Sequence, residues 1–247
     1  MHGLGTVVNV SAILLGATIG VLIGHRLPER TRTTVTDALG LVTLVIGGLN
    51  VVALQDDAFT AAVGGGVTLL VVLAALLIGG IAGSLLGLES RLEELGAWLQ
   101  RRLAPGEGSG SRARFVEGFV DSSLIFCIGP LAVLGALSDG LGQGIDELAL
   151  KSALDGFAAI AFAASLGWGV AASALSVGVW QGLLTVVAVI VGDIMSPELV
   201  AALTATGGVL LLGVGLRLLA VKAVPVGDML PALVVAPLLT AAVAAWV

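Results

Sequence analysis

Charge is scarce in this sequence: 11% of its 247 residues are Asp, Glu, Lys or Arg, where a soluble domain carries about 25%. With 57% hydrophobic residues beside that deficit, no part of the chain reads as a soluble globular domain. One cysteine, Cys127, excludes an internal disulfide, and two histidines are too few for a Cys/His cluster, so no structural metal, haem or other cofactor is expected. The basic residues sit in loops rather than in one patch, which argues against a nucleic-acid partner. No glycine cluster leads into Lys-Ser or Lys-Thr, so a phosphate-cradling loop is absent, and any active transport would draw on an ion gradient. The first residues lack the basic start and cleavage site of a secretory signal and read as a retained first span.

What the sequence does have is long apolar runs. Several reach the roughly 20 residues a helix needs to cross about 30 Å of hydrocarbon. Lipid offers the backbone no hydrogen-bond partners, and the runs lack the alternation of barrel strands, so the expected fold is all-α, a polytopic membrane helical bundle forming one domain. About eight spans are expected, at 4–24, 36–54, 60–86, 115–137, 148–167, 170–191, 199–221 and 229–247. Between the third and fourth, Leu92, Leu95, Trp98, Leu99 and Leu103 recur at helical spacing among Arg and Glu, the pattern of an interfacial helix. A flexible connector, Pro105 to Ser111, follows it. With eight spans, ten of the eleven Lys and Arg fall on one side, from Arg26 and Arg30 to Arg217 and Lys222, and only Lys151 on the other. That places the basic loops and the interfacial helix in the bacterial cytoplasm and both termini outside the inner membrane.

The chain also reads as internally duplicated. Glu117-Gly118-Phe119 precedes Gly129 by the interval at which Asp155-Gly156-Phe157 precedes Gly167. Pro28-Glu29, Gly40 and Gly48 find echoes in Pro197-Glu198, Gly207 and Gly215, and Val63-Gly64 matches Val226-Gly227 with an identically spaced Leu-Val-Val. These matches suggest an inverted repeat in which spans two and three correspond to seven and eight and span four to span five, the layout of many secondary transporters.

Most of the 36 glycines read as close-packing positions, among them Gly64-Gly65-Gly66, Gly79-Gly80 with Gly83, and Gly16 with Gly20 and Gly24. Polar residues within spans are the candidate site, since each is costly in lipid unless it faces a partner or a wet cavity. In span four these are Asp121, Ser122 and Ser123, followed by Cys127 and the pair Gly129-Pro130, where proline opens the helix and frees carbonyls. The plainer reading is a packing kink, with Asp121 in the headgroup layer beside Arg114. In span five, Lys151 and Asp155 share a face at i,i+4 beside Ser152, either as a bonded pair or as a titrating, cation-binding carboxylate tuned by the lysine. Asn9 and Ser11, Asn50, Gln181, Thr204 and Thr206 could line a polar path, although such groups commonly bond a neighbouring helix or their own backbone. Asp228 with Pro231 reads as a cap on the last span.

The runs Glu117-Gly118-Phe119 to Gly129, Lys151 to Gly156, Gln181-Gly182, Thr206-Gly207-Gly208 and Met229 to Leu233 resemble, in that order, a bacterial multi-pass membrane family, domain of unknown function 554. The resemblance covers almost the whole chain and implies a membrane-embedded protein, often labelled a transport protein without an established substrate. It implies small residues at Asp121 and Pro130 and Asn at Asp228; those departures shift weight to Lys151, Ser152, Asp155 and Gln181. The expected function is a secondary transporter or channel for a small polar solute or ion. Two other classes stand beside it: a scaffold or assembly protein with a dry interior, and an intramembrane enzyme. Catalysis is not expected, because Cys127 and Ser122 have no histidine near them in sequence. The expected partners are the bilayer, the solute or ion and, left open, further copies of the chain.

Overall fold

The computed structural model describes residues 2–24, 26–103, 109–128, 130–191 and 195–246. It is an all-α bundle, and no strand occurs among the described residues. The helices are α1 (Leu4–Gly24), α2 (Glu29–Val51), α3 (Asp57–Val63), α4 (Thr68–Leu86), α5 (Leu88–Leu103), α6 (Ser109–Cys127), α7 (Pro130–Gly140), α8 (Asp146–Leu166), α9 (Gly169–Val191), α10 (Pro197–Leu218), α11 (Val226–Met229) and α12 (Ala232–Ala244). Among the described residues seven helices are long and apolar enough to cross a membrane, or eight if the bent pair Ser111–Cys127 and Leu131–Gly140 counts as one span. Large apolar side chains such as Leu15, Leu22, Leu85 and Ile190 lie exposed while alanines and glycines fill the interior, the inverse of a soluble protein and the pattern expected against lipid.

The chain separates into two compact units, one of residues 1–39, 92–127 and 131–194, the other of 40–91, 128–130 and 195–247. In the first unit α1 lies parallel to α8 because Gly16, Gly20 and Gly24, one turn apart, rest on the backbone at Gly156, Ile160 and Ala164, where a β-carbon has no room. α6 lies beside α9 with Gly169 against Phe115, and antiparallel to α8 with Gly118 against Leu166. On α5, Leu99 and Gln100 are buried, Trp98 is exposed, and the Arg102 guanidinium sits 5.7 Å from the Trp98 ring centroid. That one-sided burial matches the amphipathic helix expected there.

The second unit is built on alanine, with Ala75, Ala201, Ala202, Ala205, Ala232 and Ala236 packed around Phe59, Val63, Val71 and Val72. Here α2 crosses α10 antiparallel: a methyl on Gly47 would lie 2.8 Å from the Gly208 oxygen, and one on Gly208 would lie 2.8 Å from the Gly47 oxygen. Gly79 and Gly83 of α4 rest on Ala232 and the Asp228 backbone.

Four expectations are corrected. Gly64-Gly65-Gly66 is not a packing patch: Gly64, at φ +90°, closes α3, a β-carbon on Gly65 or Gly66 would meet nothing within 4 Å, and the span expected at 60–86 is α3, a break and α4. Asp228 does not cap its own helix; its Oδ1 accepts the Glu89 N–H (2.9 Å) at the start of α5. Asp121 is fully buried rather than beside Arg114, which faces Glu29 at 3.7 Å. Finally, α6 begins at Ser109, so the connector expected over 105–111 ends in helix; Gly129, His25, Asp193 and the connector's first residues lie outside the described residues.

Candidate functional site

The i,i+4 pair on α8 forms. Lys151 Nζ lies 2.8 Å from Asp155 Oδ2 and donates to Oδ1 at 3.0 Å, with the two residues 6% and 7% exposed. Two other helices close on the pair. Asn9 of α1 donates from Nδ2 to Asp155 Oδ2 at 3.0 Å and to Gln181 Oε1 of α9 at 3.4 Å, and both amides are within 1% of complete burial. A carboxylate only accepts, so Asp155 fixes which end of the Asn9 amide faces it. Asn9 Oδ1 is turned away from that bond, and it and Gln181 Nε2 are buried without a hydrogen-bond partner among the described residues. One turn toward the start of α1, the Thr6 hydroxyl is in the same condition.

Of these groups, Thr6 lines a cavity. A space of about 320 Å³ is lined by His2, Gly3, Thr6, Gly182, Thr185, Val186 and Val189. Thr6 and Thr185 lie about one turn, roughly 5 Å by helical rise, from Asn9 and Gln181. The cavity wall is mostly apolar, and the Thr6 hydroxyl is an open polar group on it. The rim is held in place by Asp139 of α7, which caps α1: its carboxylate accepts from Gly3 N (3.1 Å) and Gly5 N (3.0 Å), and its own carbonyl oxygen lies 3.3 Å from His2 Nδ1.

The remaining sequence candidates divide. Cys127 ends α6, at the break within the fourth span. There α6 and α7 meet at a 64° bend, with Pro130 at the first position of α7, a place that needs no backbone donor. Ser123 bonds Ser176 on α9 at 3.0 Å, and the buried Ser122 hydroxyl has no partner among the described residues. Ser152 and Thr206 instead donate to their own helices, to the Leu148 and Ala202 oxygens at 2.6 and 2.8 Å. So do Ser11 and Thr204. Asn50 is half-buried at the end of α2, where its β-carbon walls in Gly208; it and Thr206 belong to the second unit.

Sequence reasoning missed Thr6 and Asp139, and also a charge cluster in the second unit. There Glu89 pairs with Arg217 and its Oε2 accepts from Gly227 N at 2.6 Å, while Asp228 receives the Glu89 N–H, so each acidic residue caps the other's helix. The start of α5 and the Asp-Pro grammar of the last span each hint at a cap, but spacing along the chain does not say which helix is capped.

Helices of spanning length around a buried ion pair define a polytopic α-helical membrane protein. The chain belongs to the family described as Protein of unknown function (DUF554), whose model matches residues 4–241. It is 33% identical over 243 residues, 98% of each chain, to the Uncharacterized protein YqgA of Escherichia coli (strain K12). It is 27% identical over 210 residues, 84% of this chain and 82% of the relative, to the Uncharacterized membrane protein YdfK of Bacillus subtilis (strain 168). No solved structure matches.

Proposed function

We propose that this protein is a secondary transporter or channel for a small polar solute or ion, and that the Asn9, Lys151, Asp155 and Gln181 cluster is its site. The observation that carries the reading is a set of open polar atoms around a buried carboxylate: Asn9 Oδ1 and Gln181 Nε2 in the cluster itself and, about one turn along α1, Thr6 Oγ1 on a cavity wall. Polar atoms that serve only to bind helices together saturate one another; these retain capacity for water or a passing ligand. The Lys/Arg count supports an extracytoplasmic position for that cavity and both termini, in a bacterial inner membrane. An inverted repeat suits the same reading. In the second unit α2 and α10 cross antiparallel with reciprocal glycine contacts, and a short helix, a break and a longer helix occur in both α3–α4 and α11–α12.

The test is flux. Protein reconstituted in liposomes with a pH- or ion-sensitive dye should pass its substrate, and Asp155→Asn should insert and fold yet lose flux, with Lys151→Met/Asp155→Asn equally inactive. Undiminished flux in a stable Asp155→Asn protein removes the carboxylate from the mechanism.

A further inference from the structure

The opposite end of the first unit holds a second cavity that the transport reading does not use. Its volume is about 190 Å³, and it lies where the ends of α1 and α8 meet the starts of α2, α6 and α9. Two arginines stand on its wall. Arg32 of α2 is anchored by a bond from Nη2 to the Gly24 oxygen, the last carbonyl of α1, at 2.7 Å. Its Nε is buried with no hydrogen-bond partner among the described residues. Arg114 of α6 is half-exposed across the same space. The carboxylate between them, Glu29, is mostly exposed and stays beyond hydrogen-bond reach, 4.0 Å from Arg32 and 3.7 Å from Arg114. The nearby Ser165 hydroxyl is already committed, donating to the Arg32 oxygen at 3.0 Å, which fixes the backbone that carries the guanidinium.

We infer that this cavity is a binding site for a phosphate-bearing anion. Two guanidiniums against one loosely held carboxylate leave an unneutralised positive charge, and the planar fork of arginine suits a tetrahedral oxyanion. A buried Nε is an unfilled donor, and a ligand oxygen would fill it. Trp168 lies at the rim, 45% exposed, as amphipathic rings do at the headgroup level of a membrane. The phosphate therefore comes from an anionic lipid headgroup or from phosphate in solution, and basic pockets between helix ends suit the former. The positive-inside count puts this end in the cytoplasm, where free phosphate also has access.

Binding is measured on the intact chain in detergent, by native mass spectrometry and thermal unfolding, with three probes: short-chain phosphatidylglycerol, short-chain phosphatidylcholine and inorganic phosphate. Saturable binding of phosphatidylglycerol but not phosphatidylcholine is expected, weakened about fivefold in Arg114→Gln and tightened in Glu29→Gln. Among the described residues neither side chain makes a hydrogen bond through its charged end, so the unliganded variants should melt like the parent. Inorganic phosphate binding with the same dependence on both variants assigns the site to free phosphate. No saturable binding of any charged probe, or affinities unchanged by both substitutions, overturns the proposal.

Discussion

Two networks of charged and polar groups, one from each unit, end differently. In the second unit Glu89, Arg217, Gly227 and Asp228 close on one another at helix ends: the Glu89 carboxylate takes Arg217 and a backbone N–H, and Asp228 takes the Glu89 N–H. In the first unit Lys151, Asp155, Asn9 and Gln181 sit within spans, and the chain of bonds stops at an acceptor and a donor that nothing in the described protein meets. A network that only holds helices together has no reason to leave such groups open, because each costs about 1–3 kcal/mol when buried. The difference is what the proposed function rests on: one network closes on itself and the other does not.

Removing one charge of the Lys151–Asp155 pair should have the largest effect. Lys151→Met leaves a buried carboxylate with only Asn9 to face it and should lower stability by about 3–5 kcal/mol, whereas Lys151→Met/Asp155→Leu should recover most of the loss. Unfolding in detergent followed by circular dichroism measures both. Smaller, and similar in both units, is the effect of filling a glycine contact. Gly20→Ala and Gly83→Ala each push a methyl into facing backbone and should cost about 1–3 kcal/mol, while Gly65→Ala, which meets nothing, should be silent. Asp228→Ala should cost about 1 kcal/mol, the worth of a helix cap, and leave flux intact. Smallest for stability is Thr6→Val, within about 0.5 kcal/mol because no bond is lost. Flux through reconstituted Thr6→Val should nonetheless fall; unchanged flux would make Thr6 a bystander.

The sequence showed the spans well wherever an apolar run ended in polar residues: α1 lies at the expected 4–24, and α8 and α9 begin and end within two residues of expectation. The Lys151–Asp155 pair was legible because one turn of helix brings i and i+4 together whatever surrounds them. Its other partners were not. Asn9 reaches Asp155 across 146 positions and Gln181 across 172, and helical periodicity says nothing about the register of one helix against another. Glycine misled at Gly64 for a related reason: the missing β-carbon that lets α1 rest on α8 also permits the positive φ that ends α3, and composition does not distinguish the two uses. Asp228 reads as a cap on its own span and Asp139 carries no local signal, because the amides both residues cap belong to helices more than 130 residues away.

The account turns on whether water reaches the Asn9–Gln181 pair. In a Cys127→Ser background, Gln181→Cys should react with a small, membrane-impermeant cationic thiosulfonate, more slowly than Thr6→Cys at the cavity wall but far faster than a cysteine at Ala159, which is fully buried on α8. A Gln181→Cys protein that folds, labels at Thr6→Cys and stays as inert as Ala159→Cys would show a dry interior and contradict the assignment of this cluster as a transport site.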